Sequence, residues 1–358
     1  MGVLRGAKPN RVPWTIYAIL LPRGHVEREV RNKGAGLVTA SPICQTSYPH
    51  VEVEVRWTWE EDKPILCRTY HTPVGSVSER ARTDLSYYNE GYRSQWIVEY
   101  MIKSLSDYDV VRFIIEDAVY HEDYTGFVRA RERLGEDGLL LANMGRCPLQ
   151  RMSIELAGLE RLALDLHDYP EVVEGLLQTM EQRQDEVYRM AAESPAELIW
   201  SPDNVSTTRM SPRWFERYCL PFYNRHGPMV HRAGKMYVAH MDGRLRGLKH
   251  LIAQCDLDVI EAVTPPPMGD LPIAEAQAAW PDKSVWCNFP ESLFAEGNCA
   301  VFDHTLDLLR QAYSRGHFVL GVTEDMPEDY LETGLSAIAQ AVEKYESEEE
   351  TLYMGGQG

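Results

Sequence analysis

Histidine and carboxylate side chains follow short apolar runs at several places in the second half of the chain. His240 and Asp242 come directly after one such run, and Glu261 ends the next. Glu324 follows a run farther along the chain. His, Asp and Glu side chains bind zinc and other divalent ions, and three protein ligands with one open position are typical of a catalytic metal site. The residue types therefore indicate a site that binds a metal ion or transfers protons.

A His-x-Asp pair by itself is a weak signal. On an extended segment His240 and Asp242 point to the same side, as two cooperating ligands require. A single histidine beside an acid is nevertheless more often a hydrogen-bonded structural pair. The repetition of polar groups after successive runs, including Asp203 with Asn204 and Glu324 with Asp325, favours a functional site.

These polar residues are predicted to lie at the carboxyl ends of buried strands. The segment 244–255, between the runs at 236–239 and 257–260, has its apolar residues at helical spacing. The three segments together form a strand–helix–strand unit. Such units place polar residues at the carboxyl ends of the strands, where α/β barrels have their active sites.

Short strands alternate with helical segments from about residue 139 onward, which is the pattern of βα units with a parallel sheet. Strands are predicted near residues 12, 139, 197, 236, 257, 284 and 318, seven of the eight that a TIM barrel needs. We predict an α/β fold, a (β/α)8 TIM barrel, in preference to an open doubly wound sheet. No glycine-rich dinucleotide or P-loop motif follows a strand.

Residues 36–79 are predicted to form an antiparallel hairpin or small sheet inserted after the first strand. Residues 51–59 alternate between apolar and polar side chains, which is typical of a strand with one solvent-exposed face. Trp57 and Trp59 belong to this strand, and the hairpin either covers the barrel or forms a subunit contact. Between about residues 80 and 115 the spacing of apolar residues is helical.

The composition is that of a soluble globular protein, with 44% hydrophobic and 25% charged residues. One barrel domain is expected over residues 1–345, followed by a disordered acidic tail at 346–358. The net charge of -18 argues against nucleic acid as a partner. With no long apolar span and no signal-peptide core, we expect a cytoplasmic protein that does not bind membranes. The seven scattered cysteines indicate neither a disulfide framework nor a thiolate zinc cluster.

Aromatic, apolar and amide residues near the same strand ends are candidates for the wall of a substrate pocket. Each one alone is more often a core side chain. As a set they suit an aromatic ring held by a few polar anchors. The predicted substrate-binding residues are Trp14, Tyr17, Asp203, Asn204, Met241, Trp286, Asn288 and Phe289, with Trp200 beside them.

Over most of residues 80–345 the sequence resembles the uroporphyrinogen decarboxylase superfamily. The resemblance implies a single (β/α)8 barrel. The segments that carry it are 237–270, the Gly-Val-Thr-Glu-Asp-Met-Pro stretch at 321–327, Asp203-Asn204 with Met-Ser-Pro-Arg-Trp-Phe at 210–215, Cys-Pro-Leu at 147–149, and 158–177.

The superfamily contains two kinds of enzyme. Cofactor-free decarboxylases hold a tetrapyrrole's carboxylates with arginines of an N-terminal RQAGRYLPEY motif. Here the corresponding segment, 18–24, is Ala-Ile-Leu-Leu-Pro-Arg-Gly and lacks the paired arginines. Corrinoid-dependent methyltransferases bind a catalytic zinc with His-x-Cys, in several cases a Glu after the next strand, and a Cys near the C-terminus. The missing arginines and the charge of -18 favour the methyltransferase branch, with a decarboxylase or a non-catalytic binding barrel as alternatives.

The resemblance also implies a set of metal ligands. His240 matches the family's histidine, and Glu261 stands where its acidic ligand lies. Asp242 and Glu324 occupy the two cysteine positions. Carboxylates in place of thiolates make a harder shell, so the ion is a stronger Lewis acid towards oxygen. The hypothesis is a divalent ion, zinc by preference, on His240, Glu261 and Glu324, which are also the expected catalytic residues. Asp242 is either a fourth ligand or the group that orients His240.

The implied function is methyl transfer from a methoxylated compound, aromatic or not, to the cobalt of a corrinoid protein. The chain has no corrinoid-binding Asp-x-His-x-x-Gly signature, so the corrinoid, or cobalamin, must come from a partner protein. The sequence does not identify the small-molecule methyl donor or the direction of transfer. It leaves open whether the protein forms a homo-oligomer.

Overall fold

The structure is a computed structural model that describes residues 1–7, 9, 11–86, 93–326 and 328–355. The strands are β1 (Trp14–Tyr17), β2 (Ala35–Ser41), β3 (Cys44–Ser47), β4 (Glu52–Glu60), β5 (Lys63–Thr72), β6 (Gly75–Ser86), β7 (Arg93–Glu99), β8 (Val119–Glu122), β9 (Gly138–Asn143), β10 (Leu198–Ser201), β11 (Met236–His240), β12 (Val259–Val263), β13 (Ser284–Asn288) and β14 (Phe318–Val322). The α-helices are α1 (His25–Asn32), α2 (Asp107–Asp117), α3 (Thr125–Leu134), α4 (Pro148–Arg151), α5 (Leu159–Asp168), α6 (Pro170–Glu193), α7 (Pro212–Trp214), α8 (Leu220–Arg232), α9 (Lys249–Ile252), α10 (Ile273–Ala279), α11 (Asn298–Ala312) and α12 (Glu328–Gly355).

Eight parallel strands of the described chain close into a barrel in the order β1-β14-β13-β12-β11-β10-β9-β2. This confirms the predicted TIM barrel. Helices cover the outside of the barrel and side chains fill the inside, so its strands are buried on both faces and appear in the sequence as apolar runs. Every residue of β11, β12, β13 and β14 is buried.

The strand that the sequence did not reveal is β2. It pairs with β1 on one side and β9 on the other, and so completes the barrel. Its sequence, Ala-Gly-Leu-Val-Thr-Ala-Ser, mixes small and polar residues and lacks the apolar run that marks the other strands. Residues 36–41 therefore belong to the barrel and not to the predicted insertion.

The insertion contains a four-stranded antiparallel sheet, β4-β5-β6-β7, and a two-stranded one, β3-β8. The predicted hairpin is present as β4 and β5. The sheet extends farther than predicted, because β6 and β7 occupy residues for which we expected a helix. One face of β6 is buried, and it carries polar residues such as Glu79 and Thr83. Because of these polar residues, the sequence does not show the alternation of apolar and polar side chains that marks a strand. Residues 87–92, where a helix was also expected, lie outside the described residues.

Strand β4 forms one edge of the four-stranded sheet, and all of its residues are exposed. Trp57 and Trp59 are 58% and 71% exposed. They do not cover the barrel within this chain. A subunit contact through these tryptophans stays a prediction.

The last helix, α12, continues to Gly355, so residues 346–355 differ from the disordered tail that we expected. Two acidic side chains of this segment have partners. Glu346 accepts a hydrogen bond from the Val12 amide at 2.8 Å, and Glu348 forms ion pairs with Arg310 and Lys344. These contacts connect the beginning of the segment to the rest of the chain. Residues 356–358 lie outside the described part of the chain.

None of the helices in the described ranges is both long enough and apolar enough to cross a bilayer.

Candidate metal centre and adjoining cavities

The alternation of side chains along each strand decides which residues enter the barrel. In β11, Met236 and Val238 belong to the apolar cluster inside the barrel, and His240 continues the same row at the carboxyl end. In β12, Val259 lies in that cluster and Glu261 continues its row. Because His240 and Glu261 are direct partners in the parallel pairing of β11 with β12, their side chains meet at the barrel mouth.

Glu261 is fully buried and holds one side of the His240 ring. The distance between Nδ1 of His240 and Oε2 of Glu261 is 2.7 Å. Tyr17 donates its hydroxyl hydrogen to Oε1 of Glu261 at 2.8 Å, and the indole nitrogen of Trp200 lies 3.3 Å from Oε2. Both carboxylate oxygens of Glu261 are therefore engaged, and the Nε2 atom of His240 is left to face the mouth.

The surroundings raise the pKa of His240 well above its usual range. Burial by itself would lower this pKa, because a charged imidazolium loses its hydration. The negative charge and hydrogen bond of Glu261 outweigh that effect, and Glu324 and Asp242 act in the same direction. Without a bound cation, the carboxylates at the mouth thus favour a proton on His240.

His240, Asp242 and Glu324 present ligand atoms that all lie within 4.8 Å of one another. Nε2 of His240 is 3.5 Å from Oε1 of Glu324. Oδ1 of Asp242 is buried and has no hydrogen-bond partner among the described residues. Burial, opposed by the charge of His240, raises the pKa of Asp242. An imidazole nitrogen and two carboxylates thus converge at the mouth, and one carboxylate oxygen lacks a hydrogen-bond partner among the described residues. This arrangement fits a divalent cation such as zinc.

The structure places Glu261 and Asp242 on different sides of the His240 ring. Glu261, expected to be a metal ligand, orients His240 from the opposite side of the ring. Asp242, for which both roles were open, belongs to the group of converging ligand atoms. A carboxylate that holds the second nitrogen of a metal-binding histidine is a recurrent arrangement, because it fixes the ring and makes the ligand nitrogen more basic.

Two adjoining cavities lie at the barrel mouth. The first, of about 270 Å³, is bordered by His240 and Glu324. The second, of about 350 Å³, lies over β1, β2 and β9, and its exposed lining is mainly apolar. Tyr17, Ile19 and Trp200 border both cavities. Together the two cavities are large enough for a small aromatic ligand, which would have the metal-binding group at one end.

Two of the residues predicted to bind substrate, Tyr17 and Asn204, line the cavity beside His240. Trp200 lines it as well. The other predicted aromatic and apolar side chains lie elsewhere. Trp14, Met241 and Phe289 are buried in the core between the barrel and its helices. Trp286 enters the barrel but lies deeper, where its indole donates to Oγ1 of Thr15 at 3.0 Å.

The predicted polar anchors Asp203 and Asn288 are fully buried and bonded to the protein itself. Asp203 accepts hydrogen bonds from the amide of Cys147 at 2.6 Å and the hydroxyl of Tyr223 at 2.7 Å. Asn288 accepts from the amide and hydroxyl of Thr323 at 2.9 Å and 2.8 Å. In the structure, both side chains therefore fix the loops of the mouth.

Arg146 is a cavity-lining residue that sequence reasoning did not find. It borders the cavity beside His240 and donates to Oδ1 of Asn204 at 2.5 Å and to the carbonyl of Pro202. Its position just after β9 was a usable signal, because that is a strand end like the others.

Two further carboxyl groups near the mouth have raised pKa values. Burial raises the pKa of Glu291 to about 8 and that of Asp325 to about 7, and in both cases the charge of Glu324 adds to the effect. Asp325 borders the cavity beside His240. No sequence pattern pointed to Glu291, because its burial depends on the fold.

Comparison with known proteins gives a family and a fold. A model of the family described as uroporphyrinogen decarboxylase (URO-D) matches residues 124–345. A solved methyltransferase from Methanosarcina mazei is similar over 74% of this chain and 75% of its own, with 13% identity and a TM-score of 0.51. A broad-specificity GH5-4 endoglucanase from an uncultured bacterium covers 94% of both chains with 8% identity and a TM-score of 0.41. No curated protein sequence matches the chain.

Proposed function

The chain belongs to the uroporphyrinogen decarboxylase family, and from this premise we propose that it is a metal-dependent methyltransferase. The proposed reaction moves a methyl group from the oxygen of a methoxylated compound to the cobalt of a corrinoid held by a partner protein. The observation that carries the proposal is the convergence of His240, Asp242 and Glu324 beside a largely apolar cavity. The similarity to a solved methyltransferase is compatible with it through the fold alone.

His240, Asp242 and Glu324 would hold the ion. When bound, a divalent ion such as zinc supplies Lewis acidity towards an ether oxygen. Glu261 keeps the His240 ring in place, so that its Nε2 atom faces the two carboxylates. The group contains nitrogen and oxygen ligands and no thiolate, which favours a donor that reacts at oxygen over one that reacts at sulfur.

The methyl donor that suits the adjoining cavities is a methoxylated aromatic compound. Tyr17 and Trp200 separate the metal-binding group from the apolar cavity, so a ring can pack there while its methoxy group points to His240. Thr39 and Asn143 also line the apolar cavity and can hold polar ring substituents.

The acceptor has to approach from solvent. The side chain of His240 is 6% exposed and that of Glu324 is 40% exposed, so the metal-binding group has a buried side and an open side. In the proposed transfer the carbon–oxygen bond breaks, a carbon–cobalt bond forms, and cobalt(I) becomes methylcobalt(III). The oxygen that remains takes up a proton. Asp325 borders the cavity and can supply it, because a pKa of about 7 leaves part of its carboxyl group protonated near neutral pH.

The proposed partners are a corrinoid protein and a small-molecule methyl donor. The chain has no corrinoid-binding signature of its own. A cytoplasmic location suits this proposal, because it brings the enzyme together with a soluble corrinoid protein.

A methyl-transfer assay tests the proposal. The purified protein is incubated with zinc, cob(I)alamin and, in turn, methoxyaromatic compounds, methanol and methylamines, and the absorbance of methylcobalamin is followed. We expect methylcobalamin to form fastest with a methoxyaromatic donor. A Glu324→Gln variant should be at least a hundredfold slower, since it removes one of the two carboxylate charges that converge with His240.

Two results would contradict the proposal. One is the absence of methyl transfer with every donor although the protein contains stoichiometric metal, which would favour a decarboxylase or a non-catalytic binding barrel on the same fold. The other is an unchanged rate in the Glu324→Gln variant. A Glu296→Gln variant, which alters an exposed carboxylate at the end of the short 3-10 helix after β13, is the matched control.

A further inference from the structure

A larger cleft lies outside the barrel, between the inserted sheet and the segment that follows β9. Its volume is about 420 Å³, compared with about 270 Å³ for the cavity beside His240. Arg68 and Tyr70 of β5 line one wall, and Arg151 of α4 lines the other. Arg209 enters from the loop after β10. The cleft is therefore built jointly by the insertion and the barrel.

The lining of this cleft is cationic, although the chain as a whole carries a net charge of -18. Arginines at positions 68, 146, 151 and 209 outnumber the two acidic residues of the lining, Glu79 and Glu155. Glu79 binds Arg68, and Glu155 lies 3.2 Å from Arg146 and 3.4 Å from Arg151. These ion pairs leave an excess of positive charge in the cleft.

Arg209 accounts for part of that excess. It is partly buried, and none of the described residues forms a hydrogen bond or an ion pair with its side chain. A guanidinium group has five N–H donors in a planar fork, which suits phosphate and carboxylate oxygens. An anion in the cleft would give Arg209 a partner that the described residues do not provide.

Three aromatic rings, Tyr70, Trp96 and Tyr100, line the same cleft. Trp96 is 57% exposed at the cleft although its indole is large and apolar. An exposed aromatic face beside arginines is a surface on which planar rings stack, and stacking of this kind does not depend on the identity of the ring.

We propose that this cleft binds a planar ring compound that carries phosphate or carboxylate groups. The arginines, Arg209 first among them, would bind the charged groups, and Trp96 would stack on the ring. This site does not depend on the proposed methyl transfer. It adjoins the metal-binding group nevertheless, because Arg146 borders both the cleft and the cavity that contains His240. Two sources carry this chemistry: a free nucleotide-like molecule, and the phosphate-bearing heterocyclic tail of a corrinoid.

Calorimetric titration of the full-length protein with adenosine 5′-monophosphate, adenosine and inorganic phosphate tests the proposal. We expect saturable binding of one adenosine monophosphate per chain, at least tenfold tighter than adenosine or phosphate alone. Higher salt should weaken this binding, because it screens the arginines. An Arg209→Gln variant should bind at least tenfold more weakly, and Trp96→Ala should also weaken binding. Arg213→Gln, at an exposed arginine outside the cleft, should bind like the unaltered protein.

A second pair of titrations distinguishes the two sources of the ligand. Cobalamin carries the nucleotide tail, and cobinamide lacks it. Cobalamin binding that exceeds cobinamide binding and is lost in Arg209→Gln would assign the cleft to the corrinoid tail. Binding of adenosine monophosphate alone would assign it to a free ligand. Either result supports the proposal. It is overturned if neither adenosine monophosphate nor cobalamin binds, if adenosine binds as tightly as its monophosphate, or if Arg209→Gln binds unchanged while its thermal unfolding shows a folded protein.

Discussion

At the scale of single residues, Glu261 determines how His240 can act. Its Oε2 atom lies 2.7 Å from Nδ1, so the other ring nitrogen faces Asp242 and Glu324. The sequence placed all four residues at strand ends, predicted Glu261 to be a metal ligand and left Asp242 between two roles, whereas the contacts indicate that Glu261 orients the His240 ring. Those roles depend on the register that puts His240 directly beside Glu261, and pairing register is a property of the assembled barrel.

Replacement of Glu261 by Gln is expected to lower the pKa of His240 in the metal-free protein. The charge and hydrogen bond of Glu261 are the largest effects that raise this pKa, and with glutamine the effect of burial is less strongly opposed. An NMR titration of the His240 ring measures the change. Glu275→Gln, on α10, serves as the control, because Glu275 pairs with Lys249. An unchanged pKa in the Glu261→Gln variant would contradict the assigned role of Glu261.

Glu291 gives a prediction about pH and stability. Its pKa is about 8 in the folded protein against an ordinary value of 4.5, so the folded state holds a proton that the unfolded state releases. The contribution of this proton to the free energy of unfolding is fully present below about pH 4.5 and disappears as the pH rises towards 8. The whole effect amounts to as much as about 5 kcal/mol.

When the pH is raised from 5 to 8, the free energy of unfolding of the neutral variant Glu291→Gln should therefore fall less than that of the unaltered protein. Urea unfolding at several pH values in this range measures the difference. Parallel pH profiles for the two proteins would show that the Glu291 carboxyl group titrates normally.

At the scale of strands and loops, the sequence predicted where most barrel strands lie but not which way their side chains point. Trp14 and Tyr17 are three residues apart on β1, so they point to opposite faces. Tyr17 therefore enters the mouth and Trp14 packs outside. An error of one residue in a strand boundary reverses this assignment, and unaided sequence reasoning does not reach that precision.

Long-range pairing explains the other differences between prediction and structure. Strand β2 has no apolar run and is recognised only by its pairing with β1 and β9. Strand β6 forms because it pairs with β5 and buries one face, which contacts α2, and this overrides the local helical spacing. Strand β7 extends the sheet by pairing with β6. The strands from β9 onward were predictable because each is a buried apolar segment next to a helix.

Asp203 illustrates how a strand-end residue can hold loops together instead of binding substrate. Its carboxylate joins the amide of Cys147 to the hydroxyl of Tyr223, and it is fully buried. Replacement by alanine should lower the free energy of unfolding by about 2–4 kcal/mol, because two buried donors lose their acceptor. Urea denaturation measures this loss. Asp303→Ala, at an exposed position, should change stability by less than about 0.5 kcal/mol. Equal stabilities of the two variants would contradict this role for Asp203.

At the scale of the whole molecule, the barrel brings together groups that lie far apart in the chain. His240 ends β11 and Asp242 follows it, whereas Glu324 follows β14, more than eighty residues later. The family model covers residues 124–345, so it includes these three residues but not β1 or the four-stranded sheet. The sheet and the barrel together form the cleft that Arg68 and Arg209 line, and β1 supplies Tyr17 to the barrel mouth. The residues of the proposed metal and substrate sites are therefore brought together by the folded barrel.

The metal content of the purified protein tests the central claim most directly. Elemental analysis by mass spectrometry should find about one divalent ion per chain, zinc by preference, since three protein ligands converge at one point. The variant Asp242→Asn should lose at least tenfold in metal affinity, whereas Asp303→Asn should retain its metal. A protein that takes up no stoichiometric divalent ion, or an Asp242→Asn variant that binds the ion as tightly as the unaltered chain, would contradict the metal centre and the Lewis-acid chemistry proposed for it.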